Sequence, residues 1–199
     1  CSDFAVMKKG SIMSVSSPRL VSMAIGEKVD LEELGGWRLH ADQTGLIDRF
    51  VDTDEEAMAE IQRFLSYMPA NNSLLPPEYE PAADAAQEQD GILDILPERQ
   101  AQVYDMRRII EIIVDKGSFF EFKPRFGKAG TVGLARLNGK SVGIVANNPQ
   151  FGGGALSQEA CRKIIDFQVM CDSFNIPILR LMDTPGFVVG TEAERKGAP

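Results

Sequence analysis

Val132-Gly133-Leu134-Ala135-Arg136-Leu137-Asn138-Gly139-Lys140-Ser141-Val142-Gly143-Ile144-Val145-Ala146 decides the fold class. Two apolar runs, 132–137 and 141–146, flank Asn138-Gly139. That dipeptide is the strongest short signal of a hairpin, because a type I′ turn needs positive φ at both central positions. Working outward, Pro149 closes the second strand, and Gly152-Gly153-Gly154 then lets the backbone turn or approach something closely. Ser157 caps a helix whose stripe is Ala160, Ile164, Phe167, Cys171 and Phe174. Steps of four and three bury that face and leave Glu159, Arg162, Lys163, Asp166 and Asp172 in water. Residues 176–182 are almost unbroken apolar sequence, the pattern of a strand covered on both faces. Asp183-Thr184-Pro185-Gly186-Phe187 ends it. Strand pair, helix and strand make a βαβ-like unit, so the class is α/β. Ligands in open α/β sheets gather outside the carboxyl ends of strands. Two such ends carry glycine here, at 152–154 and at Pro185-Gly186.

Upstream, Phe4-Ala5-Val6-Met7 is strand-like and Gly10 turns the chain. Ser17-Pro18 starts a short helix that Gly26 stops. Asp30 and Glu33 have capping-box spacing, and Gly35-Gly36 ends that turn. Residues 45–51 suit a short strand. Thr53 and Glu56 cap a helix over 54–68 with the stripe Ile61, Phe64, Leu65 and Met68, and Pro69 ends it. Pro69, Pro76, Pro77 and Pro81, with Asn71-Asn72 and acidic residues to Asp90, read as a linker with little packing value. A boundary there gives two parts, 1–80 and 81–199, with the linker beginning near residue 69. Val103, Met106, Ile109, Ile110, Ile113 and Val114 mark a further helix closed by Gly117. Phe119, Phe120, Phe122 and Phe126 follow in a loop-like segment, and such a cluster is more often packing than a ligand cage.

The 199 residues carry 21 basic and 29 acidic side chains, a net charge of −8, which argues against nucleic acid or an anionic membrane as partner. No apolar run approaches a membrane span, and no signal peptide opens the chain. Cys161 and Cys171 lie on one helix about 15 Å apart, too far to bridge. With one His and three scattered Cys there is no metal-ligand cluster, and a cytoplasmic, metal-free protein is expected. The sequence opens on Cys1-Ser2-Asp3, running straight into strand, and stops after Pro199 without a closing element. A piece of a longer polypeptide is expected.

Asp183-Thr184-Pro185-Gly186 has the D-x-x-G form of a γ-phosphate sensor, and Gly139-Lys140-Ser141 is present. The phosphate loop nevertheless fails on spacing, because five residues separate Gly133 from Gly139 where four are required. It fails on context too, since 142–145 continues as strand where a helix should begin. His40 is the only histidine and no G-x-S-x-G turn presents a nucleophile, so a Ser-His-Asp triad is unsupported and His40 reads as structural. Asp183 suits either a general base or a turn-holding carboxylate. What remains is main-chain chemistry: glycine turns at strand ends can aim N–H groups at an oxyanion, or serve only as turns.

The ordered set 133–149, Cys171-Asp172-Ser173-Phe174-Asn175-Ile176-Pro177 and Asp183-Thr184-Pro185-Gly186-Phe187-Val188-Val189-Gly190 resembles the second half of acyl-CoA carboxyltransferases. These are the β-type subunits of biotin-dependent propionyl-, methylcrotonyl- and acetyl-CoA carboxylases. Gly26-Glu27, Glu32-Glu33-Leu34-Gly35-Gly36, His40 and Gly45 resemble the end of the first half. The resemblance implies a crotonase-like fold in two partial repeats, with 1–80 on the acyl-CoA side and 81–199 on the biotin side. It implies transfer of CO₂ from carboxybiotin to the α-carbon of an acyl-CoA, and an active site shared between subunits. Cofactor and main chain supply such chemistry, so no catalytic side chain is expected.

In the family, glycine-rich oxyanion segments would precede Cys1 and follow Pro199, so this stretch alone is expected to be inactive. By resemblance, Gly186, Phe187, Gly153 and Gly154 are biotin-side contacts, largely through main-chain atoms, while the coenzyme A contacts are unassigned. The expected partners are an acyl-CoA, the biotin carboxyl carrier and biotin carboxylase components, and further copies of the chain, since uncovered strand edges seek pairing. The alternatives are a biotin-dependent acyl-CoA decarboxylase subunit of the same family and a non-catalytic crotonase-fold assembly module.

Overall fold

A computed structural model describes residues 3–81, 91–99 and 102–197. They form two compact units, Cys1–Arg63 with Lys123–Phe126, and Phe64–Phe122 with Gly127–Pro199.

In the first unit β1 (Val6–Lys8) pairs in parallel with β2 (Arg49–Val51), Met7 opposite Phe50. Between them, α1 (Pro18–Ile25) starts where Ser17 Oγ accepts the Leu20 amide and stops at Gly26, φ 74°. In α2 (Leu31–Gly35) the Asp30 carboxylate takes the Glu33 amide. Both caps lie where the sequence places them. A π-helical turn (Leu39–Thr44) follows, and α3 (Asp54–Leu65) comes after β2. The capping box at its start is reciprocal: the Glu56 amide donates to Thr53 Oγ1 at 3.1 Å and the Thr53 amide to Glu56 Oε2 at 3.3 Å.

The small core of this unit joins Met7, Trp37, Ala41 and Ile47. Trp37 stacks on Phe50 with centroids 4.7 Å apart, and Lys9, Arg38 and Arg125 surround its ring. His40 is buried, with Nε2 2.6 Å from the Met13 carbonyl and Nδ1 3.0 Å from Thr44 Oγ1. A carbonyl can only accept, so Nε2 donates. The ring ties the π-helical turn to the main chain at Met13.

The second unit adds α4 (Gly91–Ile95), α5 (Met106–Ile113), β3 (Phe120–Phe122), β4 (Gly130–Leu137), β5 (Lys140–Asn147), α6 (Gln158–Ser173), β6 (Ile178–Leu181) and α7 (Thr191–Arg195). Its sheet has the order β3-β4-β5-β6; the first two pairings are antiparallel and β5 with β6 is parallel. Asn138 and Gly139 turn β4 into β5 at φ 51° and 79°, both positive as a type I′ turn requires.

One sheet face, through Ala135, Val142, Ile144 and Ala146, packs on Met106, Ile109 and Ile110 of α5. Each of the larger side chains among them, Met106, Ile109, Ile110, Val142 and Ile144, contributes about 2 kcal/mol. The other face meets α6, most closely at Gly143, where a Cβ would stand 2.7 Å from Cys171 Sγ and 3.2 Å from the Phe167 ring. Burial pushes the Cys171 thiol up to about 12. The architecture is mixed α/β, and it places the carboxyl ends of β5 and β6 side by side.

Four sequence readings differ from this structure. The aromatic segment is not merely a loop: β3 sets Phe120 opposite Leu134 and Phe122 opposite Val132, burying both rings. Residues 176–182 are not covered on both faces, since Arg180 and Met182 are exposed, and β6 stands at the edge of the sheet. Lys163 is not in water. It is 1% exposed and its ammonium donates to the Gly130 carbonyl at 2.8 Å. The start of the proline-rich stretch is packed, since Glu78 bridges to Lys140 and the Tyr79 amide donates to the Gly139 carbonyl at 3.0 Å. There the Arg136 guanidinium is sandwiched between the rings of Tyr67 and Tyr79, 4.1 and 4.2 Å from their centroids. Residues 82–90 of that stretch lie outside the described residues. Among the described residues no helix is long and apolar enough to cross a membrane.

Candidate functional site

Beyond β5 the chain enters a tight turn in which Gly152, Gly153 and Gly154 hold φ of 60°, 65° and 81°. Three successive residues in this region are strained for anything but glycine. The turn closes on itself, the Gly154 amide donating to the Phe151 carbonyl at 3.1 Å and the Ala155 amide to the Gly152 carbonyl at 3.2 Å. Beyond β6, residues 183–188 run alongside it. The Leu156 amide donates to the Gly186 carbonyl at 2.9 Å and the Val188 amide to the Leu156 carbonyl at 3.0 Å, a parallel bridge of Leu156 with Phe187.

Side chains complete the junction. Thr184 Oγ1 donates to the Gly154 carbonyl at 2.7 Å and accepts the Gly186 amide at 3.1 Å. Asn147, at the last position of β5, accepts the Asp183 amide at 2.6 Å and donates its Nδ2 to the Asp183 carbonyl. There is no room beside this bridge: a Cβ on Gly154 would lie 2.5 Å from Asn147 Nδ2 and 2.9 Å from the Asp183 carbonyl oxygen. The Asp183 carboxylate is held separately by the Tyr104 hydroxyl, which donates at 2.7 Å. Burial, then the bond to Asp183 and its charge, push the Tyr104 phenol well above its ordinary value, so the phenol keeps its proton.

The structure therefore brings three of the sequence-selected residues, Gly154, Gly186 and Phe187, into one junction. Gly153 lies in the middle of the 152–154 turn. Gly153 and Gly186, the latter at φ 124°, have no atom within 4 Å of where a Cβ would stand, and Phe187 is 52% exposed. The surface of the junction is thus main chain plus one aromatic ring, with open space above it. Behind it, the Arg107 guanidinium and the Lys128 ammonium lie 5.9 and 5.8 Å from the Phe151 ring centroid. Arg107 is fixed by Glu121 through two bonds of 2.9 Å.

The Asp183 carboxylate meets the Tyr104 hydroxyl, a partner its sequence position does not display. Gly139-Lys140-Ser141 forms the hairpin turn and the start of β5, with Lys140 paired to Glu78 at 3.5 Å, so no helix N-terminus follows it. Among the described residues no group of three or more His, Cys, Asp or Glu side chains could hold a metal ion. Sequence reasoning missed Asn147, Thr184 and Tyr104 as members of the junction. The available signal was the pair Asn147-Asn148 at the end of a buried strand, where polar side chains need partners.

Comparison with known proteins agrees with this fold. Residues 1–198 match the carboxyl transferase domain family. The chain is 42% identical over 196 residues to the uncharacterized carboxylase YngE of Bacillus subtilis (strain 168) and 40% identical over 196 residues to the carboxyltransferase subunit of propionyl-CoA carboxylase from Haloferax mediterranei. Each comparison covers 98% of this chain and 38% of the relative. Among solved structures, transcarboxylase 12S, a hexamer crystallised with hydrolysed methylmalonyl-coenzyme A, superposes with a TM-score of 0.92 at 36% identity, again over 98% of this chain and 38% of that one. Fold and comparisons define a crotonase-like α/β chain whose two loops meet at the ends of β5 and β6. The chain belongs to the carboxyl transferase domain family and spans 38% of the length of the relatives it matches.

Proposed function

We propose that the chain is part of a carboxyltransferase, which moves a carboxyl group between biotin and the α-carbon of an acyl-CoA thioester, and that its 81–199 part contributes the biotin side. The observation that carries this reading is the open main-chain junction, with Gly153 and Gly186 facing free space beside the exposed Phe187 ring. Those residues fit an uncharged ring system such as biotin, whose ureido ring is planar: room is left where side chains would stand, an aromatic face is at hand, and none of the three carries a charge. Biotin, when bound, supplies the carried carboxyl group. Gly153, Gly154, Gly186 and Phe187 would hold and orient it, while Thr184 and Asn147 keep the two loops in register. The apolar Phe187 and Val188 exclude water from the reacting face.

The parts 1–80 and 81–199 are assigned to the acyl-CoA and biotin sides respectively. The partners of this reading are an acyl-CoA, a biotin carboxyl carrier, a biotin carboxylase component and further copies of the chain, in the cytoplasm. The test is biotin-dependent release of CO₂ from malonyl-CoA by the full-length polypeptide in which this chain occurs, with the 199-residue chain assayed beside it. Turnover by the full-length polypeptide and none by the shorter chain is expected. Absence of turnover together with absence of biotin binding by the full-length polypeptide overturns the reading.

A further inference from the structure

The parallel ladder of β5 and β6 ends at Ala146 opposite Leu181. One more rung would set Asn147 against Met182. Instead β6 peels away, and the Asn147 carboxamide takes over both main-chain groups of Asp183, accepting its amide at 2.6 Å and donating to its carbonyl. A primary carboxamide matches that pair because it offers one acceptor and one donor in a single plane. Asn147 is 1% exposed, so neither bond can be replaced readily by water. Its neighbour Asn148 is fully buried and donates to Asp105 Oδ1 at 2.7 Å, while Asp105 caps α5. Tyr104, next to Asp105, holds the Asp183 carboxylate. The five residues close a ring: Asn147, Asp183, Tyr104, Asp105, Asn148. The 183–188 loop is thereby tied to the ends of β5 and α5 at once, through the side chains of Asn147 and Tyr104.

We infer that Asn147 is a positioning residue for carboxyl transfer, fixing with Tyr104 the 183–188 loop against the 152–156 turn so that Gly186 and Phe187 are set before biotin arrives. This rests on the function proposed above. Without the clamp the loop samples other positions, and affinity falls by the fraction of time spent out of place.

The experiment compares wild type, Asn147→Ala, Asn147→Asp and Tyr104→Phe in the full-length polypeptide, using free biotin with malonyl-CoA and hydrogen exchange of the loop amides. Asn147→Ala should raise the KM for biotin about tenfold, as when the competent loop population falls to about a tenth. The KM for malonyl-CoA should stay unchanged. The amides of Asp183, Leu156 and Val188 should exchange faster, while that of Ile144 in β5 keeps its protection. Asn147→Asp preserves the shape and the acceptor but sets an oxygen against the Asp183 carbonyl, and should show the same shifts even if the alanine variant does not fold. Tyr104→Phe should shift both readouts less, in the same direction. A purely structural role would lower the active fraction and leave the biotin KM alone; that result, or unaltered exchange at 183–188, overturns the inference. If wild type shows no biotin-dependent turnover the functional reading falls, and the exchange arm alone then decides whether Asn147 clamps the loop.

Discussion

Two glycine turns follow strands of the second unit's sheet, and they are specified in opposite ways. The Asn138-Gly139 turn carries its instruction in its own two residues, which tolerate φ of 51° and 79°. The Asp115 carboxylate reinforces it by accepting both turn amides at 2.8 Å, but the conformation is already the one the dipeptide prefers. The Pro185-Gly186 turn takes its position from elsewhere. Asn147, 36 residues away, holds its entry, and Tyr104, 79 residues away, holds the carboxylate at that entry. A locally encoded turn serves the sheet, whereas a remotely held one can be aimed at a ligand.

Substitutions should separate the two kinds of turn, beginning where the remote clamp is tightest. Gly154→Ala drives a methyl group against Asn147 Nδ2 and the Asp183 carbonyl at a residue with φ 81°. Overpacking and backbone strain together should cost about 3 kcal/mol in denaturant unfolding, with loss of transfer. Gly186→Val meets no neighbour, so only its φ of 124° opposes it. It should cost about 1–2 kcal/mol and still abolish biotin-dependent turnover, while circular dichroism stays native.

Tyr104→Phe removes one hydrogen bond to a carboxylate and should cost about 1 kcal/mol. Its pH dependence has a definite sign. The folded phenol holds its proton more tightly than the unfolded one, so its contribution is fully present below the ordinary phenol value, about 10, and is lost as pH rises beyond it. The stability difference between wild type and Tyr104→Phe should be flat from neutral pH to about 9 and shrink above about 10. Asn138→Gly keeps a residue suited to positive φ and should change stability by less than about 0.5 kcal/mol, read from the same unfolding curves.

The same contrast explains what the sequence made legible. The hairpin, the Ser17, Asp30, Thr53 and Ser157 caps and the α6 stripe are all local patterns, and the structure contains them. The location of the junction was also readable, because glycine at the ends of adjacent strands marks where a ligand can approach a backbone. Its scaffold was not. Asn147, Thr184 and Tyr104 act through partners that are distant in sequence, so no window of residues displays them. Lys163 escaped for a related reason: helical periodicity places it at the margin of the buried face, and only the fold reveals that the Gly130 carbonyl waits there. The edge position of β6 depends on strand order, which apolar content does not record.

The contact between Gly143 and Cys171 has a consequence for kinetics. The thiolate is the reactive form of cysteine, and burial that pushes the thiol up to about 12 leaves almost none of it at neutral pH while α6 lies on β5. A disulfide reagent can therefore label Cys171 only after the helix lifts. When reagent is scarce, the labelling rate reports the equilibrium between closed and open core; when it is abundant, the rate levels off at the opening step itself. One sulfur atom behind one glycine makes the lifetime of the closed core something that can be timed.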